Sequence, residues 1–319
     1  MWKIFQMVKK TAIIVIGITI LAAIGLLIVF YDDVSLVFLG QSQILRDELL
    51  KVILTSVGGC VVIIALYYAA KYMPALKKYN AGVRFNNAVG HLGSASPTVV
   101  LGGIHDLHQI AINNSDYTQL VHNLFCSYIR EKSEELYRNN EEVPDKCSVI
   151  LQQLIDYLFK PYNGRIVYKK FVSDLSHSTL INCDFAGTSI NDVNFNNCEI
   201  RRCSFKSAAL NRVMFNDSIL SDVDISKAAF RDVAFYDAAF SDVTFRKSVL
   251  KDVDFWVATL TNVGFGNVTF NNIDFYKTTM NNVSFENATL SDVYFNEASL
   301  DGLTKQTLET RIIIKEHNP

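Results

Sequence analysis

Every fifth residue from Leu175 to Leu300 is Phe, Leu, Ile or Met, and this period of five constrains the fold more than any other feature of the chain. Two places before each of these 26 large residues stands a small one: ten Val, six Ala, four Ser, three Cys, two Thr and one Ile. An α-helix repeats about every 3.6 residues and a half-buried strand every two, so neither fits a strict period of five. The pattern predicts a solenoid, in which every coil of the winding reuses the same inward positions.

Individual units of this repeat resemble those of a known family. The segments Cys183–Gly187, Ala208–Arg212 and Ala288–Asp292 are similar to the A(D/N)LXX unit of the bacterial pentapeptide-repeat proteins. The resemblance implies an all-β, right-handed quadrilateral parallel β-helix, with four pentapeptides in each coil and with both the large and the small residue pointing inward. Stacked coils leave no free lateral strand edge, so only the two ends need covers.

If four units form a coil, residues 20 apart stack into columns inside the solenoid. Two opposite faces then carry mostly aromatic columns: Phe195, Phe215, Phe235, Phe255, Phe275 and Phe295 on one, and Phe205, Ile225, Phe245, Phe265 and Phe285 on the other. Each buried Phe removes roughly 150 Å² or more of surface from water, so this interior is large enough to stabilise the fold. We expect the β-helix to occupy residues 166–302 and a C-terminal cap or tail to occupy residues 303–319.

The N-terminal part of the chain is apolar enough to enter a membrane. Residues 11–30 and residues 52–70 contain no charged side chain, and each run is long enough to cross a hydrocarbon core of about 30 Å. A signal peptide is the alternative for the first run, but the apolar core of such a peptide has only about 7 to 15 residues. The sequence therefore predicts a transmembrane hairpin in residues 1–71, held in the lipid bilayer by the two runs.

Charged residues around the two runs predict their orientation. Basic residues precede the first run and follow the second, whereas the loop between the runs is net acidic; the flanking basic residues are Lys3, Lys9, Lys10, Lys71, Lys77, Lys78 and Arg84. By the positive-inside rule, both termini lie in the cytoplasm. The resemblance to a bacterial family implies that the membrane is the bacterial inner membrane, and the two runs predict a multi-pass protein.

A cytoplasmic α-helical region and linker are predicted for residues 72–165. Ser96 is suited to an N-cap with Pro97 in the first helical turn, and Asp116 can cap a second helix. Apolar residues at helical spacing predict a third helix over about residues 147–159.

Two further features belong to this region. The polar stretch from Glu131 to Asp145 is predicted to be a linker. The segment from Arg84 to Tyr128 resembles a helical region found in membrane-anchored pentapeptide-repeat proteins. Both features place the helices between the membrane and the β-helix along the chain.

Residues that could carry chemistry are scarce. His105 and His108 lie three apart on one predicted helix face, a spacing that can bind a metal, but a structural zinc site needs four ligands and no cysteine pair is nearby. The sequence contains no phosphate-binding glycine loop, nucleophile elbow or Cys-x-x-Cys motif. The many Asp residues recur with the repeat, which favours corners where Asp bonds to backbone amides. The sequence therefore predicts no enzyme, no cofactor and no metal site.

Function is expected on the outward positions, because the interior is committed to packing. Tyr236, Trp256 and Tyr276 each follow an inward Phe and are spaced by 20 residues, so they should stack on one outer face. Stacked aromatics can simply stabilise neighbouring strands. Tyr and Trp are also the side chains most enriched at binding hot spots. We expect this stripe to bind a protein partner or a second copy of the chain.

The family resemblance also suggests a DNA mimic, because some soluble members imitate DNA and bind topoisomerases. Residues 171–300 hold 16 Asp and Glu against 10 Lys and Arg, a net charge of −6. Duplex DNA carries about one charge per 1.7 Å, or roughly 18 over the same length. The charge is about threefold too low for a mimic, and a net negative solenoid would repel nucleic acid itself.

Two other functions remain open. The first is a non-enzymatic membrane-anchored scaffold whose β-helix mediates protein–protein interaction. The second is a membrane-active effector, in phage defence or toxicity, whose clustering assembles the two-helix anchors into a pore. Small residues in the apolar runs, such as Gly17, Gly25, Gly58 and Gly59, suit close helix packing.

Overall fold

The computed structural model of the chain describes residue 17, residues 43–138 and residues 145–309. The chain divides into two compact units, Met1–Gly82 and Val83–Pro319. The first apolar run, residues 11–30, lies outside the described residues apart from Gly17, which is helical. The transmembrane hairpin therefore stays a prediction.

The second apolar run, residues 52–70, lies in helix α1 (Gln43–Leu92). The segment Leu54–Leu92 is, among the described residues, the one helix that is long and apolar enough to cross a membrane, judged by length and composition alone. Its most apolar stretch is not buried in protein. The helix continues beyond residue 70 because Ala, Leu and Lys, which are good helix formers, are frequent in the residues that follow.

The helical part of the second unit contains the end of α1 and helices α2 (Pro97–Asn113), α3 (Ser115–Arg138) and α4 (Val149–Phe159). Helix α2 begins as predicted, with Ser96 at the N-cap and Pro97 at the first helical position. A Cβ on Gly103 would lie 2.8 Å from the Ala88 carbonyl oxygen, so only glycine allows α2 to pack this closely on the end of α1. These helices bury one continuous apolar core.

Helix α3 extends to Arg138, well into the stretch predicted to be a linker from Glu131 onward. The prediction is wrong for residues 131–138. Two contacts explain the difference: Lys132 pairs with Glu135 along the helix, and the buried Ser133 accepts a hydrogen bond from the Thr179 backbone N–H at 3.2 Å. The polar stretch is therefore held as a helix by its contact with the β-strands.

The repeat region folds into fourteen short parallel strands in two sheets of seven. The first sheet contains β1 (Ser173–Asp174), β3 (Ser189–Asn194), β5 (Ala209–Met214), β7 (Ala229–Ala234), β9 (Val249–Asp254), β11 (Thr269–Asp274) and β13 (Thr289–Tyr294). The second contains β2 (Thr179–Ile181), β4 (Glu199–Arg201), β6 (Ile219–Ser221), β8 (Ala239–Ser241), β10 (Thr259–Thr261), β12 (Thr279–Asn281) and β14 (Ser299–Leu300). Each residue pairs with the one 20 positions later, such as Leu250 with Phe270. This register confirms a parallel β-solenoid with four pentapeptides in each coil.

Two columns of Phe side chains fill the solenoid, as predicted. Phe235 stacks on Phe215 and on Phe255 with ring centroids 5.0 Å apart in both pairs. The opposite column stacks in the same way, with Phe245 and Phe265 4.9 Å apart. The two columns also meet edge to face, a favourable arrangement for aromatic rings. The side chains of both columns are buried from Phe185 to Phe285.

Polar residues in the small inward slot bond to the backbone of the preceding coil. The hydroxyl of Ser248 donates to the Ile225 carbonyl at 2.7 Å, and that of Thr278 donates to the Phe255 carbonyl at 2.7 Å. The Cys198 thiol donates to the Leu175 carbonyl at 3.0 Å, and burial raises the pKa of this thiol to about 12. These three side chains therefore occupy the interior with their hydrogen bonds made, whereas the buried Ser178 hydroxyl has no hydrogen-bond partner among the described residues.

The chain turns at every fifth residue, which gives each coil four corners. These corner residues, from His177 to Glu297, have positive φ, between 51° and 63° wherever the residue is not glycine. Asp and Asn occupy most corners because they tolerate this left-handed conformation better than other non-glycine residues. Further Asp residues bond to the backbone beside a corner: the Asp224 carboxylate accepts the Ser226 N–H at 2.9 Å. The predicted role of Asp at corners is confirmed.

Side chains of the helices cover the first coil. Gln152 on α4 donates to the Asp184 carbonyl at 2.8 Å and accepts the Asp184 N–H at 2.9 Å. Arg130 on α3 donates to the Asp174 carbonyl at 2.8 Å. These are backbone groups that would otherwise bond to a preceding coil, so the helices replace that coil.

Helix α5 (Gly302–Glu309) covers the last coil. The Asn282 N–H donates to Asp301 at 2.9 Å, the Val283 N–H donates to the Thr304 hydroxyl at 3.1 Å, and Leu308 is buried. Residues 310–319 of the predicted cap or tail lie outside the described residues.

Candidate interaction surface

The three aromatic residues predicted to form a binding stripe lie at one corner of the solenoid. Each occupies the first position of a two-residue turn between a strand of the first sheet and a strand of the second, as Trp256 does between β9 and β10. Tyr236 and Trp256 are 47% and 44% exposed, and Tyr276 is half-buried. Their turns are stacked in consecutive coils, since the Val257 N–H donates to the Tyr276 carbonyl at 2.8 Å. The stripe therefore follows an edge, not the flat face that the period suggested.

Tyr276, the last residue of the stripe along the chain, is fixed by contacts of its own. Trp256 and Tyr276 meet edge to face, with ring centroids 5.8 Å apart and an interplanar angle of 63°. The Tyr276 hydroxyl donates to Glu297 at 3.2 Å, and the Lys277 ammonium lies 4.9 Å from the Tyr276 ring centroid. Tyr276 therefore supports Trp256, and the more exposed Tyr236 and Trp256 are the aromatics best placed to contact another molecule.

Three further apolar side chains extend the surface, and the sequence analysis did not identify them. Met214, Ile219 and Val257 are 41%, 50% and 37% exposed. Met214 and Ile219 flank the turn at residues 216–217, one coil before Tyr236. We call the turns at 216–217, 236–237, 256–257 and 276–277, together with Met214 and Ile219, the aromatic corner.

Acidic residues border the aromatic corner. Asp217 and Asp237 are exposed at the second positions of their turns, and Asp254 and Asp274 end the strands that lead into the next two turns. Partial burial of the Asp254 carboxyl and the negative charge of Asp274 raise the pKa of Asp254. The corner therefore combines an apolar centre with carboxylates around it, which suits a partner that carries cations.

Val257 has a backbone conformation that is unusual for its residue type. Its φ is 60°, and a β-branched residue at positive φ is a genuine outlier because its Cβ crowds the backbone. The sequence contained a signal: Val257 is the one aliphatic residue among the corner positions from 177 to 297. Strained residues persist where the surrounding structure fixes them, and they cluster at functional sites; this one lies beside Trp256.

The histidines considered as metal ligands contact tyrosines. Nδ1 of His105 lies 2.9 Å from the Tyr157 hydroxyl, and Nδ1 of His108 lies 3.1 Å from the Tyr168 hydroxyl. The His108 ring also stacks on Tyr157 with centroids 3.8 Å apart. Burial, with a smaller contribution from His105, lowers the pKa of His108 to about 4. His108 is therefore a neutral packing residue in the helical core.

Residues 173–300 thus form a parallel β-solenoid with a packed interior and exposed corners. Residues 173–255 match the family model described as a pentapeptide repeat region, and residues 257–299 match the model described as pentapeptide repeats in nine copies. The β-solenoid of this chain is therefore a pentapeptide-repeat domain. Proteins of this family are generally non-enzymatic structural or interaction proteins.

Solved structures of the same family are similar to this chain. HetL, a protein from the cyanobacterium Nostoc involved in heterocyst differentiation regulation, is 11% identical, with coverage of 39% of this chain and 71% of HetL and a TM-score of 0.21. Rfr23 from the cyanobacterium Cyanothece is 10% identical, with coverage of 39% and 88% and a TM-score of 0.23. QnrB1, a plasmid-mediated fluoroquinolone resistance protein, is 18% identical, with coverage of 46% and 92% and a TM-score of 0.20. No curated protein matches the chain significantly.

Proposed function

We propose that this chain is a non-enzymatic scaffold, anchored in the bacterial inner membrane, whose β-helix binds protein through the aromatic corner. One observation carries the proposal. Seven large apolar side chains are exposed between residues 173 and 300, and five of them lie at this single corner: Met214, Ile219, Tyr236, Trp256 and Val257. Soluble surfaces rarely group exposed apolar side chains without a binding role.

The membrane anchor is the second part of the proposal. Helix α1 supports it, because its apolar side chains face outward: Ile63 and Leu66 are 68% and 64% exposed. A large group of exposed apolar side chains marks contact with lipid or with another protein surface. With residues 11–30 and 52–70 as spans, the termini and the β-helix lie in the cytoplasm.

The proposed binding is tested by replacing Trp256 with Glu. Full-length protein is crosslinked in native membranes, and its mass is measured after extraction in detergent. Because a charge at the centre of an apolar contact is costly, the Trp256→Glu variant should lose the crosslinked species and the added mass. Asn271→Glu places the same charge on an exposed site of β11 away from the corner and should change neither. Crosslinked species that persist unchanged in Trp256→Glu would contradict the proposal.

A second candidate function is a membrane-active effector whose anchors assemble into a pore. The observation that favours it is the open surface at Gly58 and Gly59, where an added Cβ would meet no atom within 4 Å. Small residues of this kind allow close helix packing in membranes. Expression with a membrane-potential dye separates the two functions, because only a pore depolarises the cell.

A further inference from the structure

A second corner of the solenoid is basic. Lys206, Lys227, Arg246 and Lys247 are exposed in the turns at 206–207, 226–227 and 246–247, which we call the basic corner. In the part of the chain that the structure describes, no ion pair involves any of the four. Among the described residues, four clustered cations therefore face solvent without an ion-pair partner.

The basic corner lies diagonally across the solenoid from the aromatic corner. A coil contains 20 residues, so turns that are ten residues apart in sequence lie half a coil apart, on opposite edges. The turn at 246–247 accordingly lies at a level between the turns at 236–237 and 256–257. The two corners thus occupy the same stretch of the solenoid and point in opposite directions.

The two corners are complementary in charge and chemistry. The aromatic corner presents the carboxylates of Asp217, Asp237 and Asp254 around the rings of Tyr236 and Trp256. Guanidinium and ammonium groups pair with carboxylates and are attracted to the faces of Trp and Tyr rings. The regular spacing of about 4.8 Å between coils is the same on both corners, so several such contacts can form in register.

We infer that the aromatic corner of one copy binds the basic corner of a second copy. The inference rests on the proposed function and names its partner. A contact between two different corners is heterologous, so each bound pair still has one corner of each kind unoccupied. Further copies can add side by side, and the chain gathers into rows or rings. Pairing of like corners is disfavoured, because it would bring the four cations against four others.

The test uses full-length protein in detergent micelles and measures mass and self-dissociation constant. The charge-reversing variant Arg246→Glu/Lys247→Glu should weaken self-association about tenfold or more, as expected for loss of hot-spot contacts. Arg231→Glu/Lys251→Glu changes the net charge equally but lies on the neighbouring corner, and it should associate as the unmodified chain does. Raising NaCl from about 0.1 to 1 M, which shortens the Debye length from about 10 to 3 Å, should also weaken association.

Mixing two variants gives the decisive result. Trp256→Glu retains an intact basic corner, and Arg246→Glu/Lys247→Glu retains an intact aromatic corner. Each alone should be monomeric, and the mixture should give 1:1 dimers and nothing larger. If Trp256→Glu is monomeric while Arg246→Glu/Lys247→Glu still self-associates, the inference is overturned and the proposed function stands. Association that survives in both variants overturns the inference and the proposed function together.

Discussion

Replacing Val257 with Asn should stabilise the fold and weaken its association. Val257 has a φ of 60°, and the left-handed conformation costs a residue with a Cβ roughly 1–2 kcal/mol. Asn tolerates this conformation, so we expect the substitution to recover about 1 kcal/mol. For a domain of about this size, that gain corresponds to a rise in Tm of about 2–4 °C.

The reverse substitution is the matched control. Asn267 has a φ of 59° at the diagonal corner and is exposed. Asn267→Val should therefore lower the Tm by about the same 2–4 °C. Thermal unfolding of full-length protein, followed by circular dichroism, measures both changes.

The two variants should differ in self-association. Val257 is 37% exposed beside Trp256, so Val257→Asn removes apolar contact surface. Each methylene-sized group lost from a contact is expected to cost roughly 0.8 kcal/mol of binding free energy. The substitution should therefore weaken association several-fold. Asn267→Val keeps all four cations of the basic corner and should therefore not weaken association. If Val257→Asn fails to raise the Tm, or raises it without weakening association, the argument that valine is kept here for binding is wrong.

The core and the helices give two more predictions. Phe235→Ala should lower the free energy of unfolding, measured in urea, by about 3–5 kcal/mol, because Phe235 is fully buried between stacked rings. Phe295→Ala, at a half-buried position in the last coil, should lower it clearly less. Equal losses would contradict the account of stacked Phe columns. The folded-state pKa of His108, about 4, lies below its unfolded value, so the proton favours the unfolded chain. Stability should therefore be complete above about pH 6.5 and fall towards pH 4 by about 1.4 kcal/mol per pH unit; burial lowers the pKa of His122 as well, which adds to the slope. His108→Phe should flatten this dependence in a series of thermal melts, and an unaltered slope would exclude His108 as its source.

The interior of the solenoid could be predicted because every coil places the same kinds of side chains at the same inward positions. Phe255, for example, stacks on Phe235 and Phe275 in the same way that Phe235 stacks on Phe215 and Phe255. A strict period therefore encodes register, inward positions and columns at once. Each coil contacts only its neighbouring coils, so the fold does not depend on contacts between parts of the repeat region that are far apart in sequence.

The position of the aromatic stripe could not be read from the period alone. The five-residue unit distinguishes inward from outward positions, but a corner and a flat face are both outward. Trp256 lies at a corner because the next residue adopts positive φ. Met214 and Ile219 join the same surface because the chain turns between them, and separation in sequence does not reveal that.

The C-terminal end of α3 could not be predicted from the sequence either. Residues 131–138 carry polar residues that suit either a helix or a linker. Their helical state depends on Ser133, whose hydroxyl accepts a bond from the Thr179 backbone in the second sheet. A contact between distant segments decided the local structure, so propensity alone could not predict it.

The covers on both ends of the solenoid limit how this protein can assemble. A bare terminal coil would present unpaired N–H and C=O groups, on which a strand from another chain could add in register. Gln152 at one end and Thr304 at the other already occupy such groups. Elongation of the β-helix along its own axis is thereby blocked, so the rows or rings inferred above would form side by side, without templating an amyloid.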